Sequence, residues 1–597
     1  MSKDNPEAFE TFEFDLPPIR GFPELRWAGK RPFKSTQYFP AQKKESYGDP
    51  TDGWWNQVYW GDNLQVMSHL LRDFRGKVDL IYLDPPFDSK ADYKKKIGLK
   101  GSSAFTERSS FEEAQYADIW TSDGYLQWLY ERIVLCKEFL KDGGSIFIHC
   151  DWHKSHQIRN ILDEVFTPTA FMNEIVWHYY NKMQGNINKF ASNHDVILWY
   201  KSGNDPKFNK IREKRDKPVQ QIKREWNPET QSLVNAKDDN GNVIYINSTH
   251  RTVDDVWRMS MLQPADKVEP TGYPTQKPEH LIARVIQAAS DPGDLVFDPF
   301  MGSGTTQAVS MKLGRRFLGS DINLAAVETA IERFNTIRQC HDLNAGNCDL
   351  FDEDDQRKPQ KFYTGFEVYN VNNYDLFRNP VEAKELIREA MELQPLPPSS
   401  AFDGQREGYL VKIMPVNRIA TRQDLNEVIN GLDFKAFERR KVEAPNKPVE
   451  RIHLVCMGHE PDLGSHLTLE AKKSGFDIEV MVTDLIRDKA HLHFKKSSDA
   501  RLAIENGELV IKGFYPMNLL QKLSLESEAV EDWRQLVESV KVDFHYDGAV
   551  LTPAIVDAPG NDDLVAGRYA IPADAATIRV KITDLLSESW EGVIENG

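Results

Sequence analysis

A chain of 597 residues is too long for a single hydrophobic core and divides into several domains. Its 40% hydrophobic and 28% charged content is that of an ordinary folded protein; no apolar run approaches a bilayer's thickness, and Met1 to Pro17 is acidic and aromatic, unlike a secretory leader, so a cytoplasmic protein without a membrane span is expected. The formal charge of −17 opposes attraction to nucleic acid by the molecule as a whole but not by a local basic surface, because phosphate binding follows the local field.

Residues 1–53 read as a basic and aromatic arm, with Arg20, Arg26, Lys30, Arg31, Lys34, Lys43 and Lys44 interleaved with Trp27, Phe33, Tyr38 and Phe39. An arm packed by its aromatics and an arm that touches nucleic acid fit this pattern equally. From Trp54, Val58 to Asp62 reads as a strand and Leu64 to Phe74 has helical spacing. Asp62, where the strand ends, is a candidate ligand contact and equally a candidate helix cap. Next, the apolar run Val78 to Leu83 stops at Asp84-Pro85-Pro86-Phe87. A buried strand halted by two prolines leaves a carboxylate and a ring at its carboxyl end, where open α/β sheets keep their chemistry. Asp84 and the carbonyl of Pro85 can accept the two N–H groups of a nucleobase amine, Pro86 stiffens the turn, and Phe87 offers a face for stacking.

Asp88 to Ala117 is polar and long for a loop, and is expected to act as a lid. Leu126, Leu129, Ile133, Leu135 and Phe139 mark a helix over Ser122 to Phe139, followed after Gly143-Gly144 by a strand over Ser145 to His149. His149 lies between Ile148 and Cys150 and is expected to be a hydrogen-bonded structural residue. Between Phe171 and Thr271 the periodicity falters, and Lys207, Lys210, Arg212, Lys214, Arg215, Lys217, Lys223 and Arg224 gather, a composition suited to phosphates and base edges.

Pro274 to Ala289 predicts a helix, and Leu295 to Thr306 predicts a strand breaking into the loop Gly302-Ser303-Gly304. The loop lacks both the full dinucleotide glycine spacing and a Gly-Lys-Ser/Thr ending, so it suits a nucleoside without asking for phosphates. Arg316 to Asp321 is the next strand, its acid placed for ribose hydroxyls, and Ala325 to Ile337 the closing helix. The stretch 346–408 reads as an acidic linker. Residues 409–597 read as an α/β accessory domain, with strands at Arg451 to Val455 and Ile478 to Val482 flanking a helix at His466 to Lys473. No Walker loop occurs, so the chain does not power translocation. The five cysteines form no Cys-x-x-Cys pair, and Cys340-His341 with Cys348 lacks the spacing of a zinc site, so no metal is expected.

Taken together, Asp84-Pro85-Pro86-Phe87, then an irregular basic region, then Tyr273-Pro274-Thr275-Gln276-Lys277-Pro278 and Asp298-Pro299-Phe300-Met301-Gly302-Ser303-Gly304, follow one order. With Gly61-Asp62-Asn63, Gly143 to Asp151 and Asn173 to Trp177, this order resembles the amino-methylating DNA methyltransferases of the β order, like the modification subunits of type III restriction systems, over roughly Trp54 to Asn335. The resemblance implies a Rossmann-like, circularly permuted S-adenosylmethionine-dependent methyltransferase fold of class α/β. It implies a catalytic half at 54–170, a target-recognition region at 171–271 carrying the eight basic residues named above, and a cofactor half at 272–345. Asp84, Pro85, Pro86 and Phe87 would be catalytic. Asp62, Lys277, Pro278, Asp298, Phe300, Gly302, Ser303, Gly304, Thr305 and Asp321 would hold S-adenosylmethionine, with Lys277 and Pro278 at its methionine end. Double-stranded DNA is the implied substrate, adenine N6 the implied acceptor because Asp is more typical of adenine enzymes and Ser of cytosine-N4 enzymes. A cytosine-N4 enzyme, an RNA methyltransferase and a DNA-recognition subunit of a larger complex stay open. A restriction or helicase subunit and a second copy are the candidate protein partners, the C-terminal domain serving docking.

Overall fold

The computed structural model describes residues 24–596, apart from 87–91, 99, 101–109, 118–121, 183–189, 264–268, 341–360, 372–383, 433–436, 443–449, 486–497, 521–529 and a few shorter gaps. Phe87, Arg20 and Cys348 therefore lie outside the described residues. In chain order the first strands are β1 (Ala41–Tyr47), β2 (Asn56–Trp60), β3 (Val78–Leu83), β4 (Asp92–Gly98), β5 (Ser110–Ala117) and β6 (Leu140–Cys150). Next come β7 (Phe171–His178), β8 (His194–Lys201), β9 (Arg212–Ile222), β10 (Arg224–Asn227), β11 (Ser232–Asn235), β12 (Tyr245–Thr252) and β13 (Val256–Arg258). After these lie β14 (Leu295–Asp298), β15 (Arg316–Asp321) and β16 (Phe366–Val371). The helices among them are α1 (Asn63–Phe74), α2 (Ser122–Phe139), α3 (Ser155–Phe166), α4 (Glu279–Ala289), α5 (Thr305–Lys312) and α6 (Leu324–Gln339).

Ten strands form one sheet in the order β1-β16-β2-β15-β14-β3-β6-β8-β7-β13. From β16 to β6 every neighbouring pair is parallel, whereas β8 runs antiparallel between β6 and β7. Parallel strands must be covered on both faces, and β3 is buried along its whole length, its one polar residue Asp79 accepting from the Leu295 N–H at 2.9 Å. Ile81 and Leu83 point into the core made with α1, α2 and α3, while Leu80 and Tyr82 point into the core made with α4 and α5. Alternation then places Asp84 on the α4 side.

The decisive pairing is β14 against β3, Val296 beside Leu80 and Phe297 beside Ile81. Two motifs more than two hundred residues apart in sequence thus end side by side on the carboxyl edge of the sheet, at the point where the winding reverses. This is the doubly wound, Rossmann-like α/β fold with permuted order, and ligands bind such sheets at that crevice.

Several boundaries fall elsewhere than the sequence suggests. β7, β8 and β13 belong to the central sheet, so the excursion that leaves it is confined to the segment between β8 and β13. Alternating burial on β7 and continuous burial on β8 carried that information, and the surrounding polar residues masked it. The stretch expected as a linker contributes β16, which lies parallel to β2, and the arm contributes β1 at the sheet's edge. Within the expected lid, β4 and β5 pair as an antiparallel hairpin. The C-terminal part is two units, a four-stranded sheet over 404–484 with the helix Leu463–Lys473, and an antiparallel β unit over 499–595. Among the described residues no helix is long and apolar enough to cross a membrane.

Candidate active site

Asp84 follows the last residue of β3 and meets Lys277, two residues ahead of α4, with Nζ 2.5 Å from Oδ2. The other oxygen, Oδ1, is buried and has no hydrogen-bond donor among the described residues. A desolvated acceptor without a donor costs free energy unless something supplies one, so it marks a place where a ligand's N–H belongs. Pro85 is buried next to it.

Beside this carboxylate stands the loop after β14. Asp298 is tied to its own loop, accepting from the Phe300 N–H at 2.9 Å and from Thr306 Oγ1 at 2.6 Å. Burial pushes the Asp298 carboxyl up to about 7 against the pull of those two donors. Gly302 and Gly304 have φ of +50° and +74°, and a Cβ on Gly304 would lie 2.6 Å from the Phe334 ring, so only glycine lets the loop pack on α6. Asp321, at the end of β15, accepts from the N–H of Gly302 at 2.9 Å and of Asn323 at 2.8 Å. Burial pushes it up to about 6, the backbone donors working the other way. The loop and the acid are therefore one unit, joined through the Gly302 N–H.

Other expected cofactor residues have structural partners. Asp62 caps α1 through the N–H groups of Leu64 and Gln65 and pairs with Arg132 at 3.2 Å. Arg132, absent from the sequence reading, also donates to Asn63 at 2.5 Å and lies over Trp128, whose ring is 5.5 Å from that of Phe300. This chain of contacts joins α1 and α2 to the glycine loop. The carbonyl of Ser303 and the hydroxyl of Thr305 accept from Arg333, which also binds Glu279 at 2.7 Å. Pro278 precedes α4 as its cap residue, and Lys277, expected at the cofactor, is placed on Asp84.

His149 is buried at the end of β6, with Nδ1 3.0 Å from the Tyr82 hydroxyl and Nε2 3.2 Å from Asp195. Burial pushes the Asp195 carboxyl up, but His149 and the charge of Lys277 outweigh it and hold the group below its usual range. On the same carboxyl edge Trp152 and Tyr180 expose their rings.

Of the eight basic residues in the recognition region, Lys207 is committed to Asp291 and Asp294 at 2.9 and 2.5 Å, and Arg215 donates to the His250 carbonyl. Lys210, Arg212, Lys214, Lys217, Lys223 and Arg224 are exposed. No group of three or more His, Cys, Asp or Glu side chains able to hold a metal is found among the described residues.

A permuted, doubly wound α/β sheet with a glycine loop and an acid side by side at its carboxyl edge fits the Rossmann-like fold of S-adenosylmethionine-dependent methyltransferases. The DNA methylase family model matches residues 78–332. The type II methyltransferase M.EcaI of Enterobacter cloacae is 28% identical over 327 residues, covering 47% of this chain and 69% of that protein. The type II methyltransferase M.HinfI of Haemophilus influenzae is 26% identical over 291 residues, covering 47% and 69%. Among solved structures, a complex of M1.HpyAVI with SAM matches 47% of this chain and 98% of its own at 22% identity, with a TM-score of 0.30; the strand order, not that score, defines the fold. Over residues 78–332 these matches support an amino-methylating DNA methyltransferase domain of the N4/N6 kind, for which S-adenosylmethionine is the methyl donor. The residues fit that donor: the glycine loop admits close approach, and the Asp321 carboxylate beside it would suit ribose hydroxyls.

Proposed function

We propose that this chain methylates the N6 amine of adenine in duplex DNA at a defined sequence, in the cytoplasm, as the modification component of a restriction-modification or related defence system. The observation that carries the reading is the buried, unpartnered Oδ1 of Asp84 at the mouth of the glycine loop. A base amine is a weak nucleophile because its lone pair is delocalised into the ring. Asp84 Oδ1 accepts one N–H and the Pro85 carbonyl the other, which localises the pair on nitrogen. The base reaches them only after swinging out of its stack, and the exposed rings at the sheet's edge offer it a surface. S-adenosylmethionine, when bound, supplies an activated methyl group. The nitrogen held by Asp84 and Pro85 would accept that methyl group, the electrons of the broken carbon–sulfur bond leaving with sulfur. Asp84 or water then takes the proton that the methylated nitrogen sheds.

Adenine is supported by Asp in the first motif position, and the defence role by two relatives named as type II methyltransferases. The test is transfer of labelled methyl to unmethylated genomic DNA with nucleoside analysis of the product. N6-methyladenine is the expected product; N4-methylcytosine would overturn the choice of base, and label in RNA alone would overturn the substrate.

A further inference from the structure

Between β8 and β13, the described strands pair only with one another and with no strand of the central sheet. They make a projecting ribbon: β9 pairs with β12, and β10 pairs with β11. Lys223 joins the two halves, its N–H donating to the Ile244 carbonyl and its own carbonyl accepting from Ala236. Residues 212–227 thus run as one strand that changes partner at Lys223.

Register sorts the side chains. On one face lie the opposed pairs Gln220 with Asn247 and Ile222 with Tyr245, then Arg224 with Asn235 and Trp226 with Leu233. All eight are exposed, Trp226 and Leu233 at 60% and Tyr245 at 59%. Such rings and chains on a bare two-stranded ribbon call for a partner, since a ribbon alone is marginally stable. The other face carries Glu225 with Val219, Gln221, Ile246 and Val234, and Lys223 where the two sets of pairs meet.

The ribbon's base fixes its direction. Asn209 is bonded to the last turn of α4 through the carbonyls of Gln287 and Ser290, whereas Glu213 accepts from Arg284, further back along that helix. The strand therefore climbs α4 toward Lys277 and Asp84. From Glu213 to Ile222 it gains roughly 30 Å, against roughly 7 Å left of the helix, so the ribbon overshoots the active-site edge by about 20 Å. Charge selects the occupant: from Lys207 to Arg224 there are eight Lys and Arg against Glu213 and Asp216, in a chain of net −17. A two-stranded ribbon fits the major groove of a duplex, where Arg pairs with guanine and Asn or Gln with adenine.

We propose that Gln220, Arg224, Asn235 and Asn247 on this face read base edges of duplex DNA, while Arg212, Lys214, Lys217 and Lys223 hold its phosphates. The assignment rests on the reading of the chain as a DNA methyltransferase and names its specificity-determining residues. The test methylates an unmethylated genome with the full chain and locates the modified bases by single-molecule sequencing. Wild type is expected to give one motif. Arg224→Ala, Arg224→Lys and Gln220→Ala should each relax one position of it, discrimination there falling by roughly 5- to 150-fold. Arg224→Lys separates edge reading from charge. Lys214→Ala and Lys217→Ala should keep the motif, weaken binding at every sequence, and each lower the salt slope by about one. The side chains are exposed, and unchanged thermal melts would confirm that the variants fold. An unchanged motif in all three reading variants would overturn the assignment while leaving the enzyme reading intact. A wild type that methylates without any motif, or prefers single strands, would overturn it too, and a wild type that never methylates DNA would take down the reading on which it rests.

Discussion

In the proposed mechanism Asp84 and Lys277 form the pair on which the chemistry turns, and each alone tells less than both together. The lysine fills one acceptor of the carboxylate, and the other is the one proposed to hold the base. Lys277→Met should lower the rate of transfer by about tenfold or more, because a charge-assisted contact that orients the carboxylate is lost, while affinity for S-adenosylmethionine changes by less than about threefold. If equilibrium dialysis instead finds that cofactor affinity collapses with the rate little changed, Lys277 belongs to the cofactor site as its sequence context suggests. Asp321 gives a pH test. Its folded carboxyl is raised to about 6, so above that pH it is ionised and can accept ribose hydroxyls; below it, protonation removes the acceptor. Cofactor affinity should hold above about pH 6 and weaken toward tenfold per unit below it, and titration calorimetry on wild type and Asp321→Asn would show whether the limb disappears with the acid. Asp84 and Asp321 were legible because each ends an apolar run, where folds of this kind keep their ligands. The Asp84–Lys277 pair was not, since 193 residues separate them and only the pairing of β14 with β3 brings their regions together.

Among the elements, the loop between β14 and α5 is held by glycine for a reason that can be measured. Gly304→Ala would force a Cβ to within 2.6 Å of Phe334 and 2.9 Å of Ala330 at a left-handed φ, costing roughly 1–3 kcal/mol and displacing the loop. Urea unfolding should report the stability loss, and a cofactor affinity that stays at the wild-type value would show that the loop tolerates the shift. Helices such as Ser122–Phe139 and strands such as Val78–Leu83 stand where periodicity puts them, since their burial pattern is strong over many residues. β16 escaped notice because six residues amid polar sequence carry no sign of the edge they join, and β7 and β8 because an irregular basic insertion follows them. Pairing partners are long-range facts that local pattern does not contain.

For the whole molecule, the C-terminal β unit is not a loosely hung appendage. Lys541 and Lys581 enter the seam between it and the central sheet and bind Glu45 on β1 and Glu328 on α6, with Lys541 2.8 Å from Glu328 and Lys581 2.5 Å from Glu45. Lys100, beside the β4–β5 hairpin, donates to the carbonyls of Glu538 and Pro559 in the same unit. Breaking a buried quartet on one side leaves carboxylates uncompensated, so Lys541→Met should cost roughly 3–5 kcal/mol, and pairing it with Glu328→Leu should cost less than the single change. A single variant as stable as wild type in denaturant would show that the seam is solvated. Composition suggested a separate C-terminal domain but not this attachment, because its charges look like surface charges until their partners are known. The basic cluster at 207–224 stood out in the sequence despite the protein's acidity, but its ribbon pairing and the faces its side chains share come only from register.

The most direct test of the central claim is single-turnover methyl transfer by Asp84→Ala and Asp84→Asn, with cofactor and DNA binding measured on the same preparations. If Asp84 holds the acceptor amine, binding of both ligands stays within a few fold of wild type while the rate of transfer falls by at least about a hundredfold. Transfer at near the wild-type rate by Asp84→Ala would contradict the account and place the chemistry on another group.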